Sequence, residues 1–114
     1  MMADYRHKGI RILILQGPMS LCAYLGVPGK HPIANQDYDE IDIPCHGGLT
    51  FGQSGEKGTP WPEGFFWYGW DYAHDGRLWT LAKVKAEAEE AVPFLKKLMK
   101  VAEKKKKAKK GVQK

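Results

Sequence analysis

The segment Phe65-Phe66-Trp67-Tyr68-Gly69-Trp70-Asp71-Tyr72 constrains this chain more than any other stretch. Aromatic residues favour strands, and successive strand side chains leave opposite faces. Phe65, Trp67, Gly69 and Asp71 therefore share one face, and Phe66, Tyr68, Trp70 and Tyr72 share the other. Rings on both faces require cover on both, which predicts a central strand held between a helix and a loop. Gly69 allows a bulge or a close backbone approach at its middle.

The helix partner is legible downstream. Leu81, Val84, Ala88, Ala91, Val92, Leu95, Leu98 and Ala102 follow helical spacing. Thr80 is placed to cap the first turn with its hydroxyl. Pro93 lacks an amide hydrogen and is expected to kink or split the helix within a residue or two of Val92. Upstream, Arg11 to Leu15 and Ser20 to Gly26 read as strands, the second with Leu21, Ala23 and Leu25 on one side and Cys22 and Tyr24 on the other. Residues 27–32 read as a turn-rich connection. Further strands are expected at Asp39 to Ile43, where Ile41 and Ile43 share a side, and from Gly48 to Phe51. Residues 52–64 carry four glycines and no apolar period, the pattern of a long hairpin loop, with Trp61 an unusual passenger. The fold class expected is α+β: a small, mainly antiparallel sheet packed by one C-terminal amphipathic helix kinked near Pro93.

Charge divides the 114 residues unequally. The formal total is +5, yet residues 100–114 hold eight lysines and one acid, which leaves the rest at −2. Residues 1–103 are expected to form one domain and 104–114 a flexible lysine-rich tail. Like charges in a block repel one another, so the tail serves either as a solubilising extension or as a weak, salt-sensitive attraction for nucleic acid. The longest apolar run, Ile12 to Leu15, is far short of a membrane span, and no secretory signal is visible. A reducing cytosol suits Cys22 and Cys45, which have no C-x-x-C spacing and read as buried thiols more readily than as a disulfide.

Three polar clusters carry candidate chemistry. Asp37, Asp39, Glu40 and Asp42 can bind a hard cation or supply acid–base groups, and can equally cap turns and face solvent; the spacing is not that of a calcium loop. His46-Gly47-Gly48-Leu49-Thr50 can cradle an anion in exposed N–H groups, with His46 as donor, base or metal ligand; a hairpin turn with an incidental histidine explains it as well. Asp71 and His74 stand at the exit of the aromatic strand, where Asp71 can orient His74 for proton transfer, join His46 and His74 around a metal, or merely fix a turn. Trp61, Trp67, Tyr68 and Trp70 can form a stacking platform for a base, although most aromatics in so small a domain belong to its core. Arg77 is available to a phosphate.

His31-Pro32, Asp37-Tyr38-Asp39-x-Ile41-Asp42, His46-Gly47-Gly48-Leu49-Thr50-Phe51 and Phe66-Trp67-Tyr68-Gly69-Trp70-Asp71-Tyr72-Ala73-His74-Asp75-Gly76, in that order, resemble a family of small, largely uncharacterised proteins encoded by bacteriophages and prophages. The resemblance spans about residues 22–92. In that family an acid usually follows the final glycine, where this chain has Arg77, which favours anion contact at that place. The resemblance implies an accessory role in the bacterial cytoplasm. The expectation built on these residues is a counter-defence binding protein that sequesters an anionic ligand such as a nucleotide signal without turning it over. Its contact residues would be His46, Gly47, Gly48, Thr50, Trp61, Trp70, Asp71, His74 and Arg77. Two alternatives stand beside it: an inhibitor directed at a host defence protein, and a small phosphoesterase using His46, Asp71 and His74. No cofactor, resident metal or membrane contact is expected, and the oligomeric state is left open.

Overall fold

A computed structural model describes residues 2–73 and 79–112, with side chains described as far as Lys106. Ala3–His7 (β1), Ile10–Gln16 (β2), Leu21–Pro28 (β3), Phe51–Ser54 (β4) and Phe65–Asp71 (β5) form one antiparallel sheet ordered β1-β2-β3-β5-β4. The helix Leu81–Val112 (α1) lies across β2 and β3, making the α+β architecture expected from the sequence. The aromatic strand β5 is interior to the sheet, between β3 and β4.

Register explains how one helix covers this sheet. Ile12, Leu25 and Tyr68 form one cross-strand row and Ile14, Ala23 and Trp70 the next. Small Ala23 leaves room for the indole beside it. Against these rows α1 sets Val84, Ala88, Ala91, Val92 and Leu95, all at or below 1% exposure. Each fully buried branched side chain contributes about 1.5–3 kcal/mol of transfer free energy, so the seam predicted by periodicity carries the helix. Thr80 caps it as expected, its Oγ1 accepting the Lys83 N–H at 3.2 Å.

Pro93 does not split α1, which is continuous from Leu81 to Val112. The proline sits on the exposed side, where water can satisfy the carbonyl that loses its donor, while buried Val92 and Leu95 hold the chain on either side. Three expectations change. Asp39 to Ile43 is not a strand: Tyr38–Glu40 is a 3-10 turn, followed by extended chain that inserts Ile41 and Ile43 into the core without pairing. Alternation there reported burial, not a ladder. The strand expected from Gly48 begins at Phe51 and runs to Ser54, because Gly47 and Gly48 both have positive φ, at 71° and 76°. Finally, β1 was not anticipated; a two-residue turn with Lys8 at φ 49° and Gly9 at φ 85° folds it back onto β2.

The face away from α1 has its own small core of Leu13, Tyr24 and Trp67, with Leu15, Cys22, Phe51, Trp61 and Phe65 packed around it. Two glycines form the floor. A methyl group on Gly26 would stand 2.7 Å from Trp67 Cζ3, and one on Gly69 would stand 2.3 Å from Tyr24 Cδ1. Each ring thus lies flat over a neighbouring strand where no side chain stands. The loop between β4 and β5 closes over this layer, and its Pro62 carbonyl accepts the Trp67 Nε1–H at 3.0 Å.

Candidate functional site

The glycine turn and the exit of β5 meet on the helix side of the sheet. Ile43, 3% exposed, anchors the approach, and Cys45 to Gly48 close a turn in which the Gly48 N–H donates to the Cys45 carbonyl at 3.0 Å. Gly47 takes the third position, where positive φ is required and only glycine fits without strain. This path turns His46 toward α1. Its backbone N–H donates to Glu87 Oε1 at 2.9 Å, and its ring stacks on Tyr72 with centroids 4.8 Å apart and planes 21° apart. Trp79 meets the same imidazole edge-on at 4.9 Å.

A hydrogen-bond chain runs beneath that stack. Trp70 Nε1–H donates to the Tyr72 hydroxyl at 2.8 Å, and the Tyr72 hydroxyl donates to Glu87 Oε1 at 2.8 Å. Burial raises the Tyr72 phenol well above its ordinary range, and the neighbouring Glu87 raises it further against the opposing effect of the Trp70 donor. Tyr72 therefore stays a proton donor to Glu87. Burial, with Glu87 behind it, also pushes the Cys45 thiol up to about 12 despite the Gly48 hydrogen bond. A thiol held so high is neutral at ordinary pH and therefore a poor nucleophile.

The remaining expected site residues separate. Asp71 leaves the opposite face of β5, paired in register with Cys22, and its Oδ1 accepts the Ala73 N–H at 3.2 Å. His46 and Asp71 are thus divided by the sheet. Trp61 also lies on that far face, stacked on Phe51 at 5.0 Å and edge-on to Tyr24 at 5.7 Å. Trp70 joins the His46 cluster through Tyr72 but is 1% exposed and has no face free for a base. Thr50 is exposed, yet its N–H is committed to the Gly69 carbonyl at 2.9 Å. His74 and Arg77 lie outside the described residues.

Three of the five N–H groups on which an anion cradle would rest are consequently in use: His46 to Glu87, Gly48 to Cys45 and Thr50 to Gly69. A carboxylate rather than a cation closes the inner side. Among the described residues, no group of three or more His, Cys, Asp and Glu side chains is placed to hold a metal ion. No described helix is long and apolar enough to cross a membrane.

Two functional-looking residues escaped the sequence reading. Glu87 carries no apolar signal, although its position three after Val84 and four before Ala91 puts it at the seam's edge. His31, in a turn-rich connection, is largely buried: Nδ1 accepts the Ile33 N–H at 3.0 Å, and Nε2 lies 3.4 Å from Glu103 Oε1 on α1. Nothing in its sequence spacing pointed to a helix seventy residues on. Compared with known proteins, the chain matches no family model, no curated protein and no solved structure.

Proposed function

We propose that this protein acts by binding a protein partner through the helix-free face of its sheet, as an accessory inhibitor in a bacterial cytoplasm. The observation that carries the reading is the make-up of that face. Half-buried Leu15, Phe51, Trp61 and Phe65 rim the Tyr24–Trp67 layer, and the Arg6 and Arg11 guanidinium carbons lie 5.7 and 5.3 Å from the Phe65 ring centroid. Aromatic residues and arginine around a buried centre are the composition of protein-contact hot spots. Arg11 is already held by Asp4 through two hydrogen bonds of 2.9 and 2.7 Å. Arg6 is exposed and makes the face receptive to a partner carboxylate beside an apolar anchor.

The same geometry supports a protein over a nucleotide. Trp61 spends its ring on Phe51 and Tyr24, and the His46, Gly48 and Thr50 amides of the glycine turn are taken up inside the chain. It also favours binding over turnover, because the sheet separates His46 from Asp71. The phage context rests on the sequence resemblance alone.

The test pairs a binding assay with a functional one. Wild-type chain and an Arg6→Ala/Phe65→Ala variant are expressed in a bacterium whose defence restricts a phage, and plating efficiency is scored. Pull-down from the same cells follows, with an ITC panel of cyclic and linear nucleotides. Rescued plating and a stoichiometric host protein, both lost in the folded variant, are expected. Retention of both by the variant, or tight nucleotide binding that tracks the rescue, would overturn the proposal.

A further inference from the structure

From Lys96 onward α1 changes character. The seam that faces the sheet uses Val84, Ala88, Ala91, Val92, Leu95 and Leu98 and ends at half-buried Ala102. One turn further the corresponding places are taken by Lys105 and Lys106, both exposed. At 1.5 Å per residue the helix is about 48 Å long, close to the 54 Å greatest extent of a molecule only 29 by 23 Å across. Its C-terminal part therefore projects from the domain as a rod. Between Lys96 and Val112 the sequence places nine lysines and a single acid, Glu103.

The charge is not symmetric around the rod. Lys97, Lys100 and Lys104, spaced i, i+3, i+7, form an exposed stripe on the side turned away from the sheet. Glu103 is directed to His31. Four acids lie together on another flank: Glu40 borders a cleft of about 150 Å³ with Ile41, Val101 and Lys105, and Asp37, Asp39 and Asp42 are exposed on the adjoining chain. A polyanion meets attraction on the stripe and repulsion across the acidic flank, which sets the side it approaches.

We infer that this projecting helix binds the phosphate backbone of duplex nucleic acid, without reading sequence, at a surface separate from the aromatic sheet face. From Lys96 onward the chain has no aromatic side chain, so it lacks the stacking groups with which proteins hold unpaired bases. Phe94 and Val101 are the large apolar side chains exposed beside the stripe, and after Ala102 only Ala108 and Val112 are apolar, so the helix lacks the continuous apolar face an interfacial membrane helix buries. What remains is a row of point charges suited to a regular phosphate array, where each neutralised phosphate adds about 0.9 to the slope of log affinity against log salt.

The experiment measures anisotropy of a fluorescein-labelled 20-base-pair duplex with the full chain and with Lys97→Gln/Lys100→Gln/Lys104→Gln, from 50 to 200 mM NaCl. Circular dichroism verifies that the variant keeps its helix. The wild type is expected to bind at 50 mM, and the variant's salt slope to be shallower by about 2.7, so that wild type loses about 40-fold more affinity over the fourfold rise in salt. Equal slopes, no wild-type binding at 50 mM, or tighter binding to phosphatidylserine vesicles than to the duplex would each overturn the inference. An unchanged plating phenotype in this variant keeps the sheet-face proposal separate.

Discussion

Glu87→Ala is the substitution through which the His46 cluster can be judged structural or functional. Glu87 Oε1 accepts two hydrogen bonds, from the His46 N–H at 2.9 Å and the Tyr72 hydroxyl at 2.8 Å. Tyr72 is 2% exposed and has already accepted from Trp70. Truncation leaves one amide and one phenol without their acceptor. Hydrogen bonds to a charged group contribute about 1.5–3 kcal/mol each, but Glu87 is half-exposed and water can replace part of the loss. The expected cost is about 2–4 kcal/mol, a large share of the 5–15 kcal/mol typical of small domains. Glu87→Gln keeps an acceptor oxygen and should cost about half as much. Urea unfolding followed by tryptophan fluorescence reads this as a lower midpoint at unchanged slope. An alanine variant within about 0.5 kcal/mol of wild type, the usual range for an uninvolved surface site, would refute the account of Glu87 as the tie between turn, strand and helix.

Two further outcomes follow from the packing. Gly26→Ala drives a methyl to 2.7 Å from a Trp67 ring that is fully buried and held by Pro62; overpacking of this kind costs about 1–3 kcal/mol, read as a lower thermal midpoint, and an alanine variant as stable as wild type contradicts the flat ring placement. Cys45, with its thiol pushed up to about 12, should resist iodoacetamide in the folded protein at pH 8 far better than a cysteine peptide, its rate rising tenfold per pH unit toward pH 12. Because the folded state holds that proton more tightly than the unfolded chain, the same group leaves stability untouched below about pH 9 and erodes it between pH 9 and 12; Cys45→Ala should flatten that decline, and rapid labelling at pH 8 contradicts the burial.

Much of this fold was legible because periodicity reports burial. The seam of α1, the Thr80 cap and the two-faced strand β5 followed directly from side-chain spacing. The failures have the same origin. Ile41 and Ile43 alternate as a strand would, since extended chain inserting two side chains into a core looks the same whether or not its backbone pairs. Conversely Ala3–His7 and Gly52 to Ser54 pair at sheet edges with little apolar signal, being fixed by turns and partners rather than by a buried face. For the site, the meeting of the His46 turn with the β5 exit was legible as a shared neighbourhood. The side of the sheet was not carried through: parity alone puts Asp71 opposite Tyr72, and hence opposite the ring on which His46 stacks. The partners of Glu87 and His31 were beyond reach because they lie 41 and 72 residues away in the chain.

The central claim is that the glycine turn commits its His46, Gly48 and Thr50 amides within the fold, which favours the helix-free face as the binding surface. Hydrogen–deuterium exchange read amide by amide by NMR tests it most directly. The amides of His46, Gly48 and Thr50 are expected to exchange slowly, protected by Glu87, Cys45 and Gly69. Exchange at free-peptide rates that becomes slow only when a nucleotide is added would contradict the account, because it would return those donors to an anionic guest.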